Sequence, residues 1–178
     1  KIQSALNLLC KLKKKGYVTT SGGGKKIRLY KITIYKQRSK ELGMFDIINK
    51  HSPIVKLQPW YGHQVHGIYT VEDALVDAIQ TQSFRVILAS LHLYKHITNW
   101  SKLYKSAKEK NCWQKVGALY DVARLYFKVR RMPRKYLNSI PKNLRWGQLT
   151  QLKKKNFLEI SNKWHVYISF NEKDVAEI

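Results

Sequence analysis

Acidic residues are scarce in this sequence: 11 Asp and Glu stand against 34 Lys and Arg, and the difference is the net charge of +23 at pH 7. A balance so one-sided points to a polyanionic partner, nucleic acid above all. Cysteine is almost absent too. Cys10 and Cys112 are too few for a disulfide framework and lack metal-ligand spacing, and the stretch Leu8-Leu9-Cys10 predicts a buried thiol at Cys10. An intracellular, cytoplasmic protein is expected. No apolar run approaches the ~20 residues of a membrane span, and no signal-type segment opens the chain, so no membrane partner is expected. What is present excludes a solvated polybasic tail: apolar residues make up 44% and aromatics 12% of 178 residues. A chain of this length buries roughly 70% of its unfolded surface, enough for one good core or two small ones.

The missing acids are concentrated in two stretches. From Lys1 to Lys40 there is none, against twelve cations that include Lys1, Lys11, Lys14, Lys15, Lys25, Lys26, Arg28 and Lys31. Between Asp121 and Glu159 there is again none, and this block holds Lys128, Arg130, Arg131, Arg134, Lys135, Lys142, Arg145 and Lys153 to Lys155. A surface charged for solubility mixes both signs, whereas segregated blocks suit phosphates, each of which releases counterions when neutralised.

Periodicity predicts the elements. Residues 1–15 read as a helix with Ile2, Ala5, Leu6, Leu9 and Leu12 on one face and Lys1, Ser4, Asn7, Lys11 and Lys15 on the other, stopped by Gly16. Strands are expected at 17–20 and 25–34, joined by the turn Ser21-Gly22-Gly23-Gly24. A helix follows at 40–49, then a linker over 51–69 with one short strand at 54–57. Thr70 caps a helix with Glu72 and Asp73 in its first turn, and three more helices are expected at 84–97, from Thr98 or Asn99 to about 110, and at 113–128. Pro133 and Pro141 end the helical part. A hairpin closes the chain, with strands 156–160 and 163–170 turning at Ser161-Asn162 and with Trp164, Val166, Ile168 and Phe170 on one face.

The run Leu8-Leu9-Cys10-Lys11-Leu12-Lys13-Lys14-Lys15-Gly16-Tyr17-Val18, with its glycine turn and Arg28-Leu29-Tyr30-Lys31-Ile32-Thr33, resembles the second half of a winged helix. That resemblance implies a recognition helix leading into a two-stranded wing. Lys1, Gln3, Ser4 and Asn7 would then reach base edges in the major groove, while Lys25, Lys26 and Arg28 meet the backbone. Two helices normally precede the recognition helix. They would lie upstream of residue 1, or the segment is a different small αββ unit.

Further along, Thr70 to Leu75, Arg85 to Ser90 and Val116 to Ala123 resemble the C-terminal domain of AbiEi-type antitoxin regulators of archaea. These winged-helix proteins repress their own toxin–antitoxin operon, so the likeness implies DNA binding without catalysis.

Enzymatic constellations are thin. His92 and His96 sit one helical turn apart, but Leu93 stands where a zincin places its Glu, and His63 with His66 completes nothing obvious. Glu72, Asp73 and Asp77 could form a carboxylate cluster for two metal ions, or simply complement a helix N-terminus. The run Lys128 to Lys135 admits three uses: a backbone clamp, a solvated helix end, or, with Trp146 and Tyr136, stacking on unpaired bases.

The expected architecture is α+β: a partial winged-helix unit (1–50), a linker (51–69) and a mostly helical domain closed by a C-terminal β-hairpin (70–178). The expected function is sequence-specific binding of double-stranded DNA as a transcriptional regulator, with no cofactor or metal and with a homodimer allowed. The binding residues would be Lys1, Gln3, Ser4, Asn7, Lys11, Lys14, Lys15, Lys25, Lys26, Arg28 and Lys31, joined by Arg130, Arg131, Arg134 and Lys135. A metal-dependent nuclease and a sequence-blind packaging protein are the alternatives.

Overall fold

In a computed structural model, which describes residues 2–24, 26–32, 43–63, 65, 68–139 and 145–178 (without the side chains of Ile2 and Lys26), helix α1 spans Ile2–Lys14. Gly16, at φ +82°, ends it: the Gly16 N–H donates to the Lys13 carbonyl and the Tyr17 N–H to that of Leu12, the paired bonds of a glycine C-cap. Strands β1 (Val18–Gly23) and β2 (Lys26–Ile32) follow, antiparallel, with Val18 opposite Ile32 and Thr20 opposite Tyr30. β1 runs past residue 20 because a bulge between Ser21 and Gly23 carries the pairing into the glycines. Residues 33 and 34 lie outside the described residues. This is one of two compact units, Lys1–Glu41 and Leu42–Ile178.

Among the described residues of the first unit, Val18 is the one buried apolar side chain. The burial expected of Cys10 is therefore wrong: the thiol is exposed, as is its neighbour Leu8, at 57%. An apolar sequence stretch buries only where something packs on it, and here α1 meets β1.

The second unit holds the core. Helix α2 (Met44–His51) buries Met44, Phe45, Ile47 and Ile48 and packs against α3 (Val71–Gln80), so it belongs here and not with residues 1–50. The stretch between them contains no strand at 54–57. It is tied down by side chains instead, with Asn49 Nδ2 donating to the Leu57 carbonyl and the Leu57 N–H returning a bond to Asn49 Oδ1. The apolar helix expected over 84–97 is two pieces, α4 (Phe84–Ser90) and a 3-10 turn over Leu91–His96. Then come α5 (Trp100–Glu109), capped by Asn99 Oδ1 accepting from the Lys102 N–H, and α6 (Trp113–Tyr126). Pro133 does not end the helical part but opens a short α7 (Arg134–Leu137).

The C-terminal hairpin is absent. Helix α8 (Leu158–Trp164) occupies its centre, and two short strands, β3 (Gly147–Gln148) and β4 (Val166–Tyr167), pair in parallel, with α9 (Glu172–Ala176) at the end. Trp164 explains the change. Its indole is fully buried over Gly117 of α6, where a Cβ would stand 2.1 Å from the ring, and its Nε1 donates to Asp121 Oδ2 at 2.7 Å. That seat needs a helix packed on α6, and His165 at φ +50° turns the chain from α8 into β4. The expected inward alternation survives beyond it: Val166, Ile168 and Phe170 are all buried. The architecture is mixed α+β, and among the described residues no helix is long and apolar enough to cross a membrane.

Candidate nucleic-acid interface

Helical spacing places Gln3, Ser4, Asn7, Lys11 and Lys14 in one stripe along α1, which Lys15 continues in the turn after it, and all six are exposed. Gln3 Nε2 donates to Asn7 Oδ1 at 3.4 Å, so the two carboxamides best suited to base edges are tied to each other. Adjacent to the stripe, Leu6, Leu9, Cys10 and Lys13 face the strands across a hollow of about 270 Å³, whose far wall includes Thr20, Arg28 and Tyr30. Lys13 Nζ closes one side by donating to Thr20 Oγ1 at 2.8 Å.

Two positions of the wing tip, Gly22 and Gly23, call for glycine. Gly22 has φ +80°, and a Cβ there would stand 2.2 Å from the Ile27 carbonyl oxygen. At Gly23 the Arg28 guanidinium takes the vacant side, its Nη2 3.4 Å from the Cβ position. The bare backbone thus lets the hairpin close tightly while Arg28 lies along it. Strand alternation puts Arg28 on the face towards α1 and Lys31 on the opposite one with Ile27 and Leu29. Lys1 and Lys25 lie outside the described residues, and Lys26 is described through its backbone alone.

The second block is built differently. Arg130, Arg131, Arg134 and Lys135 are all exposed, on a segment anchored by buried Met132, whose N–H donates to the Tyr120 hydroxyl at 2.8 Å. Of the three uses read from the sequence, the solvated helix end loses ground here, and the stacking use keeps only one of its two aromatics, Trp146. α6 ends at Tyr126, so the run lies beyond the last turn where cations complement the dipole, and Arg134 and Lys135 sit in the first turn of α7. Tyr136 is buried against Tyr104 and Trp113 and offers no face to a base.

The three acids of α3 are engaged one by one. Glu72 is buried on α3, and its Oε1 accepts the N–H groups of Thr98 and Asn99 at 3.0 and 2.8 Å, capping α5 from a neighbouring helix. Burial raises its pKa, but the Asn99 N–H, its own N–H, the Thr70 hydroxyl and the Thr98 N–H together outweigh burial and hold the carboxyl below its ordinary value. Asp73 behaves alike: burial is overcome by Lys102 Nζ at 2.6 Å and by the Thr70 N–H and hydroxyl. Asp77 takes Lys110 Nζ, the Tyr69 hydroxyl at 2.7 Å and His63 Nε2 at 3.1 Å, and burial followed by that carboxylate pushes the Tyr69 phenol far up.

The histidines do not converge either. The 3-10 turn rotates His92 and His96 off a common face, so His92 is buried against Phe127 while His96 stacks on His51 with ring centroids 4.0 Å apart. His66 lies outside the described residues. Among the described residues, no three His, Cys, Asp or Glu side chains gather as a metal-holding group. The described ion pairs Lys102–Asp73, Lys110–Asp77 and Lys163–Asp121 all belong to the second unit, whereas the first unit's cations have no acid between Lys1 and Lys40 to pair with.

No protein-family model matches this chain. Neither does a curated protein or a solved structure.

Proposed function

We propose that this protein binds double-stranded DNA through α1 and the β1–β2 wing and acts as a transcriptional regulator. One observation carries the reading: the exposed stripe Gln3, Ser4, Asn7, Lys11, Lys14 and Lys15 and the glycine-tipped wing bearing Arg28 lie together in a stretch, Lys1 to Lys40, that holds no acidic residue. A helix of this kind fits the major groove, and a flat basic wing lies along the backbone beside it. The finer reading, which rests on the resemblance of the sequence to AbiEi-type antitoxin regulators, is that the chain represses a toxin–antitoxin operon; a homodimer on a two-fold operator is allowed.

The test is a duplex titration at two salt concentrations with a preferred and a random site. Log affinity falls steeply with log salt, by a slope reflecting roughly six or more phosphates per protomer. Asn7→Ala costs about 1–3 kcal/mol on the preferred site and little on random duplex, whereas Lys25→Ala with Lys26→Ala weakens both and lowers the salt slope by about two. A flat salt response would end the DNA-binding reading. A preferred site that cannot be found would favour sequence-blind packaging.

A further inference from the structure

The parallel pair β3–β4 builds a second feature that the duplex reading does not use. Gly147 lies opposite Val166 and Gln148 opposite Tyr167, so the same register sets Trp146 beside His165. The three rings form a cluster: Trp146 to Tyr167 at 4.9 Å and 39°, Trp146 to His165 at 5.2 Å. Its position is over-determined. Gln114 Nε2 donates to the carbonyls of Arg145 and His165, the Gly147 N–H donates to the His165 carbonyl at 2.8 Å, and the bare Gly147 lets Gln114 and Lys115 approach.

Over this cluster lies a lysine loop. Lys155 Nζ sits 3.9 Å from the Trp146 ring centroid and 5.8 Å from that of Tyr167. Lys153 and Lys154 precede it, both exposed, and the loop is pinned behind them by the Asn156 N–H donating to the Ile168 carbonyl and by Asn156 Nδ2 donating to that of Ser169. None of Arg145, Lys153, Lys154 and Lys155 forms an ion pair with a described residue. Trp146 keeps 37% of its surface exposed.

We propose that Trp146, Tyr167 and His165, ringed by Arg145 and Lys153 to Lys155, are a stacking platform for the unpaired bases of a single-stranded nucleic acid. An ammonium over an exposed indole is held weakly, so an incoming base takes the ring face while Lys155 moves to the phosphate beside it. Duplex bases cannot do this, because their faces are already covered by their neighbours. Acidic peptides would answer to the lysines but have no flat π face to set against Trp146. The shared chemistry is that of DNA and RNA single strands, and the platform stands or falls independently of the duplex interface on the first unit.

The experiment uses the full chain and one mixed sequence of about twelve nucleotides, as single-stranded DNA, as RNA, and as DNA annealed to its complement. Trp146→Ala weakens the better single strand by about tenfold or more and duplex by less than about twofold, while Trp146→Phe retains most of the single-strand affinity. Ultraviolet crosslinking of the wild-type chain, which needs no variant to fold, maps to Trp146 or Tyr167. The polymer bound more tightly names the source. Equal weakening on single strand and duplex, no weakening at all, crosslinks confined elsewhere, or polyglutamate binding with the same Trp146 dependence would each overturn the platform. Loss of duplex binding with the platform intact would instead overturn the function proposed above and leave this inference standing.

Discussion

The two units of this chain spend their residues in opposite ways. In Leu42–Ile178 one continuous core gathers the buried apolar side chains and Asp73, Asp77 and Asp121 meet lysines, whereas in Lys1–Glu41 Leu8, Ile27 (85% exposed), Leu29 and Ile32 face outwards beside lysines that form no ion pair among the described residues. Within the described residues its helix and wing are held by local geometry: a glycine cap, a bulge and a glycine turn. The second unit thus stores stability and the first displays surface. Substitutions in each should therefore be read by different instruments.

The largest expected effect lies at Trp164. Replacing it with Ala removes a fully buried indole and leaves a cavity over Gly117, which costs about 3–5 kcal/mol. Leu8→Ala, equally apolar in sequence, should change stability by less than about 0.5 kcal/mol because its side chain is already mostly solvated. Urea unfolding followed by circular dichroism measures both. A costly Leu8→Ala would break the contrast, showing that the first unit has a core which the described residues do not reveal.

Next in size is Glu72. Its carboxylate caps α5 from α3, so Glu72→Ala takes the acceptor away from the N–H groups of Thr98 and Asn99, at a cost of about 0.5–2 kcal/mol, that of losing a helix cap. Duplex affinity should be unchanged, because a buried capping group touches no ligand. Metal-dependent cleavage of DNA by the wild type, lost on this substitution, would turn the cap into a catalytic carboxylate and revive the nuclease alternative.

How far the sequence could be read follows the same division. Short-range signals were legible: Gly16 as a helix stop, Thr70 and Asn99 as caps, and the places of α3, α5 and α6. Long-range packing was not. The alternation Trp164, Val166, Ile168, Phe170 is compatible with a strand throughout, and only the seat over Gly117 decides that Trp164 closes a helix. Leu8-Leu9-Cys10 looked buried for the same reason, since burial belongs to the partner surface and not to the stretch. At the candidate interface the cations and glycines were visible in the sequence. Trp146 was visible as well, but its union with Tyr167 and His165 depends on a parallel pairing between strands of two residues each, too short to leave a periodic signal.

The smallest expected effect concerns pH, and it separates the units once more. His51 is held below its ordinary pKa by burial, then by His96 stacked on it and by Lys50; His92 is lowered by burial and then by Lys95, with its Nε2 buried and unpartnered among the described residues. Both therefore bind a proton more readily when unfolded. As pH falls below about 6.5 the unfolded chain takes up protons that the folded one refuses, and stability declines. Glu72 and Asp73 are also lowered, and their contribution, present above the ordinary carboxylate range, is lost in a second and lower window as pH falls through their folded values. The melting temperature of the second unit should drift down from pH 7 to 5.5 and fall further below about pH 4.5. His96→Gln, which removes the neighbouring charge from both His51 and His92, should flatten the first decline only. Lys1–Glu41 contains no histidine and, up to Lys40, no acid, so duplex affinity at fixed salt should stay level from pH 7 to 5.5 while stability drifts. An affinity that instead tracked the histidine window would place the second unit's titrating groups in the duplex interface, and the division of labour between the units would fail.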